Sequence, residues 1–185
     1  VLDSVNEFQK KRYQSDKITV PVSTNLSWMD FYDETIMNWL ERKCADTSIP
    51  SGLSRMEITE TSYAAIEADR SATLEALREA GILLLLDDFG SGYSSFGMLQ
   101  NYNFDIMKID MSFVRQIETN TKTRSIIRFI IEMAHTMEIK IIAEGAETKE
   151  QVEFLRDNGC DYIQGYYFYK PMPEEEFVKL LDAGR

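Results

Sequence analysis

Residues 82–93 read Ile-Leu-Leu-Leu-Leu-Asp-Asp-Phe-Gly-Ser-Gly-Tyr, an apolar run that passes without interruption into two adjacent carboxylates and a glycine-rich turn. A strand with no polar alternation has no face to offer water, so it must be covered on both sides. That condition is met almost only in parallel sheets flanked by helices. In such sheets the C-terminal strand ends form the rim on which α/β barrels and open α/β folds build their sites. Asp87 and Asp88 stand at that end. Neighbouring carboxylates repel and are costly to desolvate. A hard divalent cation such as Mg²⁺ or Mn²⁺, which prefers oxygen ligands, relieves both problems. Taken singly, the two acids also suit a turn followed by a helix N-cap.

The remainder of the chain alternates strand-like and helix-like stretches. Val1 to Gln14 has a helical pattern, followed by a β-branched run from Ile18 to Thr24 and a helix over Asp33 to Lys43. Met56 to Thr59 reads as a strand, Ser71 to Ala80 as a helix closed by Gly81, and Ile82 to Leu86 as the leucine strand. Ser94 to Leu99 is a short helix and Asp105 to Ile109 a strand. Arg124 to Met137 carries Ile126, Ile127, Ile130, Ile131, Ala134 and Met137 at helical spacing, which predicts a wide apolar face. Ile139 to Ala143 is a strand, Lys149 to Asn158 a helix with Gly159 after it, Tyr162 to Gln164 a short strand, and Glu174 to Leu181 a closing helix. Strands regularly followed by helices imply a parallel sheet with right-handed crossovers. Six such strands are two short of a closed (β/α)8 barrel. The opening helix has no strand before it to cross over from, so the chain is expected to begin inside a domain.

At 185 residues the chain suffices for one core, and a single domain over residues 1–185 is expected. The formal charge of −11 disfavours a DNA or RNA surface, which needs clustered Lys and Arg. Cys44 and Cys160 have neither metal-ligand spacing nor the look of a disulfide framework. No apolar stretch approaches the roughly 20 residues of a membrane span, so a cytoplasmic location is expected, with a membrane-anchored parent compatible.

Each predicted strand delivers polar side chains to one rim. The first ends in Asn25, Leu26, Ser27; the second carries Glu57 and Glu60; the third ends in Asp87 and Asp88. The fourth supplies Lys108 and Asp110, the fifth Glu144 and Glu147, the sixth Gln164. Every one has a plainer reading: Asn25 or Ser27 as a helix cap, Glu57 and Glu60 as a solvated strand end, Lys108 as an exposed cation. Glu144 and Glu147 could cap the helix near Thr148, and Gln164 could belong to a turn. Their recurrence at successive strand ends is what a barrel site assembled from distant sequence requires.

The segments NLS (Asn25 to Ser27), EITE (Glu57 to Glu60), DDFGSGYSS (Asp87 to Ser95), KID (Lys108 to Asp110), AEGAET (Ala143 to Thr148) and QGYYFYKP (Gln164 to Pro171) resemble the EAL-domain family in order and spacing. That family contains phosphodiesterases that linearise the bacterial messenger cyclic di-GMP. The resemblance spans nearly the whole chain. Ala146 stands where the family usually has Val. The motif that names the family, a Glu-Ala-Leu whose Glu is a metal ligand, has no counterpart in the right place. Glu75, Ala76 and Leu77 match it only by chance, inside a predicted helix, so the motif strand is expected upstream of Val1.

The resemblance implies a TIM-type (β/α)8 barrel lacking its first strands, with two Mg²⁺ or Mn²⁺ ions per site and Ca²⁺ inhibitory. Asn25, Glu57 and Asp87 would hold one ion; Asp87, Asp88 and Glu144 the other. Lys108 and Glu144 would carry catalysis: Lys108 by positioning or polarising the attacking water or by stabilising transition-state charge, Glu144 as proton acceptor if it is not consumed as a ligand. Glu147, Gln164 and Asp110 would position water or substrate, and Glu60 would steady the DDFG loop. The expected activity is hydrolysis of cyclic di-GMP to linear pGpG. The alternative is an inactive domain acting as a cyclic di-GMP sensor or a protein-interaction module. The resemblance also implies a homodimer through the helices beside the DDFG loop, where Tyr93, Phe96, Met98 and Leu99 suit either that contact or ordinary packing, and fused sensory or GGDEF-type domains in the parent chain.

Overall fold

The computed structural model describes residues 2–46, 48–59, 71–90 and 95–184. The order is α1 (Leu2–Gln14), β1 (Val22–Asn25), a 3-10 turn (Trp28–Tyr32), α2 (Glu34–Ala45), β2 (Ser54–Thr59), α3 (Ser71–Glu79) and β3 (Leu83–Phe89). There follow α4 (Ser95–Asn101), β4 (Ile106–Ile109), α5 (Met111–Val114), α6 (Thr121–Thr136), β5 (Lys140–Ala143), α7 (Lys149–Asp157), β6 (Tyr162–Ile163) and α8 (Glu174–Asp182). The six strands make one sheet in chain order, and β1–β2, β3–β4, β4–β5 and β5–β6 all pair in parallel. The α/β alternation expected from sequence is therefore present. No described helix is long and apolar enough to cross a membrane.

The described elements pack into two compact units, one with α1, β1, α2, most of β2, α3 and α8, the other running from Leu85 to Lys170. In the first unit α1 is held by polar contacts. Arg12 is only 5% exposed; its Nη2 lies 2.6 Å from Asp182 Oδ1, and its Nε donates to the Ile18 carbonyl. The Arg12 hydrogen bond holds the Asp182 carboxyl below its ordinary pKa. Gln9, fully buried, donates to the carbonyls of Val20 and Leu53. These contacts occupy the stretch predicted to open β1 at Ile18, and Pro21, which has no N–H for a ladder, delays the strand to Val22. Asp33 caps α2 by accepting from the Thr35 and Ile36 N–H groups, and those bonds lower its pKa. The Glu75-Ala76-Leu77 tripeptide lies inside α3 with Leu77 fully buried, a packing role.

In the second unit β4 is buried at all four positions, and Leu85, Leu86 and Phe89 of β3 are at most 2% exposed. The predicted start of α6 at Arg124 is corrected to Thr121, because Asn120 accepts from the Lys122 and Thr123 N–H groups and caps an extra turn. Its apolar face is narrower than predicted: Ile127, Ile130, Ile131 and Ala134 are buried, whereas Ile126 and Met137 are 44% and 42% exposed. Helix α5 was not predicted; Asp110 caps it by accepting from Ser112 N–H. Met98 and Leu99 are buried, and Phe96 is exposed with its ring edge-on to Phe89. Tyr93 lies outside the described residues.

Candidate active site

The geometry of the Asp-Asp pair follows from strand register. Leu86 pairs with Met107 and Phe89 with Ile109, so the two residues Asp87 and Asp88 oppose the single residue Lys108. That is a β-bulge, a device that re-aims side chains and is common beside active sites. Asp88 takes the extra place in the left-handed region, at φ +55°, which aspartate tolerates better than most residues. The bulge undoes the strict alternation that would send neighbouring side chains to opposite faces.

Lys108 is 5% exposed. Its Nζ lies 2.9 Å from Asp87 Oδ1 and 2.8 Å from Glu144 Oε1. Asp87 Oδ1 also accepts from the Asp88 N–H at 3.0 Å. Glu144 follows β5 directly, and its N–H donates to the Ile109 carbonyl, which extends the β4–β5 pairing to the site. Asp87, Asp88 and Glu144 each present a carboxylate oxygen within 4.8 Å of the others. Three carboxylates thus share the space with one ammonium, and the four side chains together carry excess negative charge. Convergent hard-oxygen donors of this kind fit a divalent cation of the Mg²⁺ or Mn²⁺ type.

The remaining predicted residues have the following places. Asn25 and Glu57 are register partners on β1 and β2 in the first unit, so their side chains leave the same face side by side. Asn25 also lines a cavity of about 390 Å³ with Asp30, Thr35 and Trp39. Asp110 caps α5, with Oδ1 2.9 Å from Ser112 N. The exposed Glu147 places Oε1 3.7 Å from Arg115 Nη2. Gln164 has an exposed side chain, while its backbone bonds Ala143 and Ala146. Glu60 lies outside the described residues. The cap of α7 is Thr148, in a capping box with Gln151, so neither Glu144 nor Glu147 serves it. Ser27 exchanges bonds with Asp30 at the start of the 3-10 turn.

Gly165 lies flush against the turn after β5. A Cβ there would fall on the backbone carbonyl and amide of Ala146, where nothing flexible can yield. Gly165→Ala is expected to cost roughly 3 kcal/mol and lower Tm by about 6–12 °C. A thermal melt within 2 °C of the unsubstituted protein would contradict this close approach. The sequence reading passed over Met111 and Phe113, which pack on the glycine turns beside the carboxylates. The Asp-x-Ser step that caps α5 was the available signal.

A family profile described as EAL domain matches residues 1–171. Cyclic di-GMP phosphodiesterase NbdA of Pseudomonas aeruginosa is 43% identical over 112 residues, 60% of this chain and 14% of that protein. The chain spans a quarter or less of the length of the first curated relatives it matches. Among solved structures, the EAL domain of Mycobacterium smegmatis DcpA is similar at TM-score 0.85 and 28% identity, over 95% of this chain and 79% of that one. Klebsiella pneumoniae BlrP1, in its manganese and cyclic di-GMP complex, is similar at TM-score 0.70 and 28% identity, over 79% of this chain and 38% of that one. A calcium and cyclic di-GMP complex of BlrP1 is similar as well.

Proposed function

The chain belongs to the EAL-domain family, and on that premise we propose that it carries the metal-dependent hydrolysis of cyclic di-GMP to linear pGpG. The observation that carries this reading is the buried Lys108 held between Asp87 and Glu144, with Asp88 turned in beside them by the bulge. Relatives named as cyclic di-GMP phosphodiesterases support the substrate.

Asp87, Asp88 and Glu144 would hold one divalent cation, and the family resemblance assigns Asn25 and Glu57 to ligation of a second. Bound there, such ions supply Lewis-acid polarisation of a phosphoryl oxygen and a nucleophilic water at neutral pH. The chain's own groups do the rest. The Lys108 ammonium, fixed by two carboxylates, donates to a phosphoryl oxygen as negative charge develops on it. The Glu144 carboxylate accepts the proton of the attacking water if it is not consumed as a ligand. Glu147 and Gln164 orient water or substrate, and Asp110 holds the start of α5. The two phosphates of the substrate are anionic, so this acidic rim repels them until divalent cations are present.

The test is incubation of the purified protein with cyclic di-GMP and Mg²⁺ or Mn²⁺, with pGpG followed by chromatography. Linear product that disappears with EDTA is expected. Nucleotide binding without product would overturn the enzymatic reading in favour of a sensor. Ca²⁺ in place of Mg²⁺ is expected to support binding while lowering turnover by roughly two orders of magnitude, because its looser coordination suits in-line displacement poorly. Rapid hydrolysis in Ca²⁺ alone would contradict that expectation.

A further inference from the structure

Two glycines flank the carboxylate cluster, and both lie against the same four-residue helix. Gly90, two residues past Asp88, has φ +94°, and a Cβ there would stand 2.7 Å from Phe113 Cε2 and 3.0 Å from Cζ. Gly145, directly after Glu144, has φ +73°, and a Cβ there would stand 2.6 Å from Met111 Cβ. The Phe113 ring and the Met111 stem therefore rest on the backbone of the turns that carry the acids. All of these residues belong to the second unit.

The helix that presents them is fixed to the lysine strand. Only Ile109 and Asp110 separate Lys108 from α5, and Asp110 caps it. Val114 at its end and Ile117 just beyond it are both fully buried in the core. Beyond α5, Arg115 faces Glu147 and Glu118 bonds the Thr148 hydroxyl, so the turn after Glu144 is held at further points. Met111 remains 41% exposed, which limits what it adds to the core.

We infer that α5 is a positioning element of this site: Phe113 seats the turn after Asp87 and Asp88, and Met111 seats the turn after Glu144. One helix tied to Lys108 thereby sets the spacing of the carboxylates on both sides of it. The inference rests on the reading of this cluster as a divalent-cation site. Neither side chain is catalytic; each acts through the backbone it supports. Supporting residues around a metal site typically govern its affinity by about 10–100-fold.

The test is titration with Mn²⁺ alone, with free Mn²⁺ read from its EPR signal, on the unsubstituted protein, Phe113→Ala, Phe113→Leu and Phe104→Leu. Phe104 is 5% exposed and precedes β4 at its opposite end, so its variant reports general loosening. Phe113→Ala is expected to raise the Mn²⁺ dissociation constant about tenfold or more. Phe113→Leu should recover part of that loss, and Phe104→Leu should stay within twofold despite a lower Tm. The inference is overturned if Phe113→Ala binds within twofold of the unsubstituted protein, or if Phe104→Leu weakens binding as much. A protein that binds Mn²⁺ but does not hydrolyse cyclic di-GMP loses the enzymatic reading alone, and the affinities still decide the role of α5. A protein that binds no Mn²⁺ overturns the cation site and this inference together.

Discussion

Asp87→Asn is expected to reduce cyclic di-GMP hydrolysis by at least roughly a thousandfold while the protein stays folded. The substitution removes one charge at nearly constant volume. An amide oxygen in the same place can still accept from the Asp88 N–H and from Lys108, which now bond Asp87 Oδ1. Lys108 also keeps Glu144 at 2.8 Å. The stability cost should therefore be that of a weakened hydrogen bond to a charged group, roughly 1–3 kcal/mol. What is lost is the carboxylate charge, on which affinity for a hard cation depends. Steady-state turnover beside a thermal melt separates the two effects. Near-normal turnover in a well-folded Asp87→Asn protein would remove Asp87 from the reaction.

Lys108→Met should show the opposite balance, a large loss of stability alongside the loss of activity. Methionine keeps the length and apolar stem of the side chain but not the ammonium. Asp87, Asp88 and Glu144, with carboxylate oxygens within 4.8 Å of one another, would then lose the cation that lies between two of them. Removing one partner from a buried ionic cluster costs roughly 3–5 kcal/mol, which in a chain of this size lowers Tm by about 6–20 °C. Added Mg²⁺ or Mn²⁺ should narrow the gap, because a divalent cation supplies the missing positive charge and binding to the folded state stabilises it. Activity should fall by about 10²–10³-fold with the donor to the developing oxyanion gone. An unchanged melt in EDTA would show that Lys108 is not the countercharge of this cluster.

The strands and long helices were legible because periodicity and burial agree. The leucine run predicted a strand covered on both faces, and Leu84, Leu85 and Leu86 are at most 1% exposed. The errors have local causes. Cap side chains set the start of α6 and the existence of α5, since Asn120 and Asp110 satisfy backbone N–H groups that an apolar pattern does not record. The exposure of Ile126 and Met137 was equally out of reach, because spacing marks a helix face without giving the width of the surface it meets.

Linear order alone puts Asp87, Asp88, Lys108 and Glu144 towards the C-terminal ends of apolar runs, the side on which parallel sheets build their sites. It says nothing of how they meet. A regular strand would turn Asp87 and Asp88 to opposite faces, and it is the extra residue against Lys108, with Asp88 at φ +55°, that lets both join Glu144. That offset is a property of the β3–β4 pairing, and no single strand carries it. The seating of Gly90 on Phe113 and of Gly145 on Met111 is likewise set by packing between segments far apart in the chain. Residue type and spacing determine which groups reach the rim; ångström-scale placement comes from register and from backbone resting on side chain, which are formed only when the segments pack.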